Sequence, residues 1–381
     1  MPKTVKRVGV IGGGQLAWMM GDGAKSLGLD LVIQTPHPND PAVTVASDTI
    51  FAPIDDAAAT AKLAAHCDVI TFENEFINLD GLFPLANQGV CFRPRLEALA
   101  PLLDKYHQRC YLRDIGLPQP AFNLLQTPLN PDRMDFPVVL KARRHGYDGQ
   151  GTFIFKERES FQELHSKLAD TPLLVEEFIP FERELAVIAA RSLSGEVVVY
   201  PVVETQQEKQ VCRRVIIPAP ISTETEKEID AIARTLLNSL QAVGVFGIEL
   251  FLTANNQIFV NEVSPRTHNS GHFSLDACET SQFEMHLRAV AGLELTKPTL
   301  RCNRAVMVNL LGYEYSQNDY LEKRQKLARQ PQTYLHWYGK KQSRPGRKLG
   351  HVTVLLDSSP ERNPQAIAQS IETLWYNKKS L

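Results

Sequence analysis

Two acidic residues, Glu249 and Glu262, carry the strongest chemical signal in the sequence. Each lies in an apolar run, Gly247–Thr253 and Ile258–Val263, and Ala254-Asn255-Asn256-Gln257 joins the runs. A short polar link between apolar runs predicts a β-hairpin. With Asn255-Asn256 as a two-residue loop, 254 faces 257 and the same register sets Glu249 directly opposite Glu262. Like charges so placed repel, and an apolar surround deepens the conflict. A divalent cation resolves it, and carboxylates together with nucleotide phosphates are how Mg²⁺ is usually held. The alternatives are that one glutamate pairs with an arginine or lies in solvent.

Other segments carry chemistry that such a site would use. Pro137–Thr152 holds a strand ending in Lys141, a basic glycine-rich loop and a second strand. Gly146, Gly149 and Gly151 leave backbone N–H groups free to line an anion, and Lys141 offers a point charge for phosphate. The spacing is not that of a Walker loop, and the kinase HRD and DFG motifs are absent. A hairpin with a charged tip is the plain alternative. Leu173–Ile179 is a strand ending in Glu176 and Glu177, and Glu184 follows in a strand over Arg183–Ala190. These acids are either solvated or meet an adenine amino group and ribose hydroxyls. The densest polar run, Val260–His272, includes Arg266, whose planar fork suits carboxylate or phosphate, and His268, Asn269 and Ser270. Zinc at His268 and His272 would need a helix that Ser270-Gly271 oppose. Lys340–His351 is a basic loop turned by Pro345-Gly346. It is either a phosphate clamp or a solvated loop, and no matching basic face points to nucleic acid. Gly12-Gly13-Gly14 fits a G-x-G-x-x-A turn, but the second strand ends Gln34-Thr35-Pro36 without the acid a dinucleotide site wants. A tight βα turn, near a substrate phosphate or purely structural, is the better account.

The elements that must position these groups divide the chain three ways. Residues 1–103 alternate strands and helices (Val8–Ile11, Gln15–Leu27, Leu29–Gln34, Ala57–Ala65, Val69–Phe72), the rhythm of a parallel, Rossmann-like sheet. A helix over 104–114 opens a strand-rich region to about residue 300, with a flap over about 116–200 and helices at 224–242 and 281–291. Residues 301–381 hold strands near 304–311 and 351–356 and a closing helix near 361–376. The fold class is therefore mixed, α/β followed by α+β. At 381 residues the chain has ample length for full cores, and its 43% hydrophobic and 22% charged content is ordinary for a soluble globular protein. A net charge of −2 gives no pull toward nucleic acid or anionic membrane. Six scattered cysteines without CxxC spacing are expected to be free thiols in a reducing cytosol. The N-terminus carries no signal pattern and no apolar run spans a bilayer, so a cytoplasmic location is expected.

Lys141, the Gly146–Gly151 loop, Glu176-Glu177, Glu184 and paired Glu249 and Glu262 occur in the order expected of the ATP-grasp superfamily. Within it, Gly146–Gly151, Pro265–His272 and Arg344–His351 closely resemble the PurK family of 5-(carboxyamino)imidazole ribonucleotide synthetases. The resemblance runs from the Gly12 turn to about residue 356. It implies an ATP-grasp fold with an N-terminal pre-ATP-grasp domain and a small C-terminal domain. It implies ATP, bicarbonate and aminoimidazole ribonucleotide as substrates, Mg²⁺ (one or two ions), and a homodimer. Carried over residue by residue, Lys105, Lys141 and the loop Gly146, Tyr147, Asp148, Gly149, Gln150, Gly151 and Thr152 surround the ATP phosphates. Glu176, Glu177, Phe178 and Ile179 form the adenine hinge, Glu184 and Gln207 lie by the nucleoside, Asn261 lies beside the nucleotide, and Glu249 and Glu262 hold metal. Gln15, Glu73, Tyr147, Asp148, Arg266, His268, Asn269, Lys340 and Arg347 face the ribonucleotide or the bicarbonate-derived intermediate. Lys141, Tyr147, Asp148 and Arg266 are the catalytic candidates.

This sequence departs from the family pattern at several positions. The stretch around Glu73 reads Phe72-Glu73-Asn74-Glu75, Arg109 replaces a usual lysine, Thr205 and Gln207 replace Asn and His, and Ser264 replaces a metal-binding Asn. Rival activities are another ATP-grasp ligase (formate-dependent glycinamide ribonucleotide transformylase or biotin carboxylase type), a non-catalytic ATP sensor, and an NAD-dependent dehydrogenase.

Overall fold

A computed structural model describes residues 4–125, 136–144, 146, 151–158, 172–357 and 363–376. Tyr147, Asp148, Gly149 and Gln150 lie outside the described residues. The short buried runs at the N-terminus form a four-stranded parallel sheet. Its strands are β1 (Arg7–Ile11), β2 (Asp30–Thr35), β3 (Asp48–Phe51) and β4 (Val69–Phe72), in the order β3-β2-β1-β4. The single helix expected over Gln15–Leu27 is two, Gln15–Trp18 and Met20–Leu27, divided at Met19.

A second, antiparallel sheet of order β5-β8-β6-β7 is built from β5 (Phe122–Leu124), β6 (Val138–Ala142), β7 (Thr152–Phe155) and β8 (Leu173–Glu177). The third and largest sheet has nine strands: β9 (Phe181–Arg191), β10 (Val197–Val199), β11 (Val203–Glu208), β12 (Val211–Ile217), β13 (Gly244–Thr253), β14 (Ile258–Ser264), β15 (Arg304–Leu311), β16 (Thr333–Trp337) and β17 (Lys348–Leu356). Its order is β14-β13-β9-β11-β12-β15-β17-β16, with β10 on β9. Two features depart from the three-part division. β9 and β10 fall within the range expected for the flap, yet pair into this large sheet. The C-terminal strands continue the same sheet through the β12–β15 pair. A strand, β16, and a helix, Leu321–Ala328, also lie in the region without an assigned element.

Among the helices that flank the sheet, two bear on the site. Thr223–Leu240 is capped by Ser222 and buries Ile229, Ile232, Ala233, Leu236, Leu237 and Leu240 against Phe246, Ile248 and Leu250. That three-and-four spacing is the apolar stripe of an amphipathic helix. Gln282–Ala291 is buried on more than one side, as a helix between two cores must be. Met285 and Ala289 pack on the large sheet, while Phe283, Leu287 and Val290 pack with Leu16, Met20 and Leu31 of the N-terminal domain. A Cβ on Gly23 would lie 3.0 Å from the Glu284 Cα, so the two helices approach where a side chain is missing.

His286 of this helix ties the two domains together. Its Nδ1 accepts from the Val245 N–H (3.1 Å), so Nε2 carries the proton and donates to Thr71 Oγ1 on β4 (2.8 Å). Burial pushes the imidazole down to about 4. The unfolded chain therefore binds more protons than the folded one between about pH 6.5 and 4, and this contribution is present above that window and lost as pH falls through it. Replacing His286 with Gln removes the titration. In denaturant unfolding, the stability gap between wild type and His286→Gln is expected to shrink by about 3 kcal/mol from pH 7.5 to pH 4. A gap independent of pH would show that His286 is not held neutral.

Candidate active site

The expected hairpin forms, but by a different route. β13 and β14 pair antiparallel with Glu249 opposite Glu262. No two-residue loop sets this register. The Thr253 N–H donates to the Gln257 carbonyl (3.0 Å), leaving residues 254–256 as a three-residue loop with Asn256 at φ 60°. Near the loop the pairs are Leu252–Ile258 and Leu250–Val260, one residue away from the expected register. A β-bulge at Asn261 absorbs the extra residue and restores the pairing at the two glutamates.

β14 is an edge strand, and the helix Lys105–Asp114 covers it. Asp104 caps that helix, accepting from the N–H groups of Tyr106 and His107. Lys105, Gln108 and Arg109 share one face, as residues three and four apart do. Gln108 accepts from the Val263 N–H and donates to its carbonyl. Arg109 donates to the Val260 carbonyl (2.7 Å) and the Asn261 carbonyl (2.8 Å), the groups the bulge frees, and pairs with Glu176 at 2.6 Å. Lys105 reaches Glu262 at 2.5 Å. Asp104 also pairs with Arg143 at 2.8 Å, which fastens the helix to the end of β6.

Lys141 projects from β6 to Glu176 (2.8 Å) and to Asn261 Oδ1 (2.9 Å). The register explains the first contact: Val139 lies opposite Glu176 and Lys141 opposite Leu174, so Lys141 and Glu176 are diagonal neighbours. Asn261 in turn donates to Glu249 (3.3 Å), and His268 Nε2 lies 3.4 Å from the other Glu249 oxygen. Glu176, expected at the adenine hinge, is buried between Lys141 and Arg109, whose charges overcome burial and hold its carboxyl down to about 2.

Among the described residues, Lys105 pairs with Glu262, and Lys141 and Arg109 pair with Glu176. Burial, then Glu262, pushes Glu249 up to about 7, and burial, then Glu249, does the same to Glu184. Burial would raise Glu262 too, but Lys105 and Lys141 hold it below the usual carboxylate range. Burial lowers Lys141, with Glu176 opposing. Each hairpin glutamate stays about a third open to solvent, 30% and 32%. The hairpin pair thus keeps like charges opposed at a site still open to solvent. Paired acids at neutral pH with raised values are a mark of functional sites.

A second group of residues gathers beside it. The Glu73 carboxyl lies in the first glycine turn, against the backbone of Gly12 and Gly14. A Cβ on Gly12 or Gly14 would come within 2.4 Å of its oxygens. The turn therefore cradles the protein's own carboxyl, with Gln15 at the start of the helix beside it. Burial pushes Glu73 up to about 7, against the charges of Arg266 and Lys340. Arg266 lies 3.0 Å from Glu75. Asn269 exchanges two hydrogen bonds with Asn309 on β15 (3.0 and 2.8 Å). Arg347 donates to the Gln342 carbonyl (2.8 Å), and Lys341 donates to Asn39 (2.7 Å), so the basic loop rests on the N-terminal domain.

Not every expected residue joins these clusters. Gln207 is exposed near the end of β11, and Glu177 is exposed on β8 beyond the Lys141 group, with Phe178 following it and Ile179 buried. Thr205, which opposes Glu184 across β9–β11, is buried. Sequence reasoning missed Asp104 as an organiser and noted Arg109 only as a departure. The Asp-Lys-Tyr-His start of the helix is a capping signal for Asp104. Nothing local marks Arg109, whose acceptors lie on distant strands.

The fold and the acid–lysine cluster define an ATP-grasp protein. Residues 5–101 match the ribonucleotide synthetase preATP-grasp domain, 111–283 the ATP-grasp domain, and 305–365 the phosphoribosylaminoimidazole carboxylase C-terminal domain. N5-carboxyaminoimidazole ribonucleotide synthase of Synechococcus elongatus is 53% identical, over 98% of this chain and 96% of that protein. The structure of an N5-carboxyaminoimidazole ribonucleotide synthetase bound to ADP superposes with TM-score 0.90, 33% identity and full coverage of both chains. The Aspergillus clavatus enzyme with ADP and 5-aminoimidazole ribonucleotide gives TM-score 0.90 at 29% identity, over 98% of this chain and all of that one. The chain belongs to the N5-carboxyaminoimidazole ribonucleotide synthase family.

Proposed function

We propose that this chain is an ATP-dependent, ADP-forming carbon–nitrogen ligase of purine biosynthesis. It carboxylates the exocyclic amine of 5-aminoimidazole ribonucleotide with bicarbonate, giving N5-carboxyaminoimidazole ribonucleotide. The observation that carries this reading is the opposed Glu249–Glu262 pair ringed by Lys105 and Lys141. Bicarbonate is a poor electrophile. One of its oxygens attacks the γ-phosphorus of ATP, the bond to the β–γ bridging oxygen breaks, and ADP leaves. The product, carboxyphosphate, is a mixed anhydride. The ribonucleotide amine then attacks its carboxyl carbon, directly or as released CO₂, inorganic phosphate departs, and the amine gives up a proton.

Phosphoryl transfer asks the protein for position and positive charge more than for covalent chemistry. Lys105 and Lys141 supply charge to the phosphates, with Asn261 and Glu176 fixing the Lys141 ammonium. Glu249 and Glu262 are hard oxygen donors set opposite each other, so they fit one or two Mg²⁺ ions. When bound with nucleotide, Mg²⁺ neutralises the phosphate oxygens. Arg266 orients the bicarbonate-derived group. Glu73, Gln15, His268 and Asn269 flank the ribonucleotide, and Lys340 and Arg347 take its 5′-phosphate. Residues 146–152 close over the phosphates and exclude water. Tyr147 and Asp148 orient the amine or accept its proton. The chain acts as a homodimer in the cytoplasm, and sedimentation of the purified protein tests the dimer.

An ADP-release assay tests the reaction. Turnover is expected only when ATP, bicarbonate and aminoimidazole ribonucleotide are all present, and formate substituting for bicarbonate would overturn the assignment. In the same assay, Arg347→Ala is expected to raise KM for the ribonucleotide by about tenfold or more, as loss of a charged contact does, with KM for ATP little changed. Equal rises in both constants would remove Arg347 from the phosphate site.

A further inference from the structure

A second cluster of ligand-type side chains lies behind the polar loop, and none of the chemistry above uses it. Asn309, His351 and His336 are successive cross-strand neighbours on β15, β17 and β16. The two imidazoles stack at 4.5 Å with an interplanar angle of 13°. The short helix Ser274–Ala277 places Asp276 against them, with a carboxyl oxygen 2.9 Å from His336 Nε2. His351 is fully buried. Its Nδ1 pairs with the Tyr338 hydroxyl at 2.8 Å, and among the described residues its Nε2 has no hydrogen-bond partner. Leaving a buried ring nitrogen unpaired is unfavourable, and most such atoms in folded proteins find a partner. One ligand atom from each of Asp276, His336 and His351 lies within 4.8 Å of the other two.

We propose that Asp276, His336 and His351 form a site for a divalent transition ion of the zinc class, distinct from the Mg²⁺ site at Glu249 and Glu262. Two imidazole nitrogens and one carboxylate oxygen make a donor set that suits zinc and its neighbours and disfavours magnesium. Tyr338 is the outer partner such a ligand needs. Accepting from the His351 Nδ1–H, it fixes the tautomer that leaves the Nε2 lone pair for metal. Binding would draw together donors that now lie within 4.8 Å of one another, with water completing the shell. The ligands come from three places: the helix that follows the Arg266–His272 loop, β16, and β17 directly after the basic loop. A bound ion would therefore fasten the polar loop to the strand that carries the basic loop. Its role is positional.

The test is a Co²⁺ titration of the full chain, freed of metal by a chelator and without nucleotide. Wild type and Glu262→Gln are both expected to bind one equivalent with visible d–d absorption, and to melt about 4 °C higher at a hundredfold excess over Kd. Asp276→Asn and His336→Gln keep His351 in place and are expected to fold, as checked by circular dichroism, yet to bind Co²⁺ at least a hundredfold more weakly. Zn²⁺ should displace the Co²⁺ signal and Mg²⁺ should not. Absence of sub-millimolar Co²⁺ binding in wild type would overturn the proposal. So would a signal that disappears in Glu262→Gln but persists in His336→Gln.

Discussion

Replacing Glu262 with Gln is expected to abolish ADP release while the fold survives. Glu262 is the hairpin carboxylate that stays ionised, because Lys105 contacts it at 2.5 Å and Lys141 lies nearby. Its partner Glu249 is pushed up to about 7, so near neutrality it is only partly charged. Replacing Glu262 removes the ligand oxygen that is ionised before any cation binds, and frees Lys105 from its partner. Loss of one preorganised electrostatic group at a reacting centre typically lowers turnover by about a hundred- to a thousandfold, and loss of a metal ligand adds to that. Stability moves the other way or not at all, since two opposed carboxylates repel and Glu262 is about a third exposed, at 32%. Steady-state ADP release at saturating Mg²⁺, beside a thermal melt, separates the two effects. Activity within tenfold of wild type would refute the metal assignment, and a melt lowered by many degrees would show that the pair is structural.

The course of that hairpin shows what was legible in the sequence and what was not. Two apolar runs and a polar link were enough to mark a hairpin, but the expected pairing of Glu249 with Glu262 holds only because a bulge offsets the longer loop. The turn itself was misassigned: a three-residue loop replaces the two-residue one, and the bulge at Asn261 compensates. A bulge has no local signature here. Its outward carbonyls are met by Arg109, on a helix some 150 positions earlier, which donates to Val260 and Asn261. Ala57–Ala65 was readable as a helix with one buried face, and Val69–Phe72 and Arg304–Leu311 as short continuous apolar runs, because those strands are buried on both faces. Glu176 was not, because its ionic partners are set by strand register and by a helix from another part of the chain. The same limit applies to Glu73, whose place inside the glycine turn depends on the β1–β4 pairing.

Arg109→Met is expected to produce the largest loss of stability at any single site considered. The guanidinium is 2% exposed and makes three short contacts, to Glu176 and to the Val260 and Asn261 carbonyls. Methionine fills most of the volume but offers no donor. Removing one partner of a buried ion pair costs about 3–5 kcal/mol. Lys141 remains beside Glu176, which places the loss toward the lower end of that range. Arg109→Lys keeps the charge, but one ammonium lacks the planar fork that spans three acceptors, so an intermediate loss of about 1–2 kcal/mol is expected. Acid dependence supplies an independent check. Glu176 is held down to about 2, so its contribution is fully present above the ordinary carboxylate range near 4.5 and lost as pH falls toward 2. Without Arg109 that depression weakens, and the gap between wild type and Arg109→Met should narrow as pH drops through this window. Urea unfolding at pH 7 and pH 3 measures both quantities. ATP turnover should fall with stability, because Glu176 and Asn261 position Lys141 and both lean on Arg109. A variant within about 1 kcal/mol of wild type would mean that Lys141 alone neutralises Glu176, and that the Asn261 bulge stands without the guanidinium.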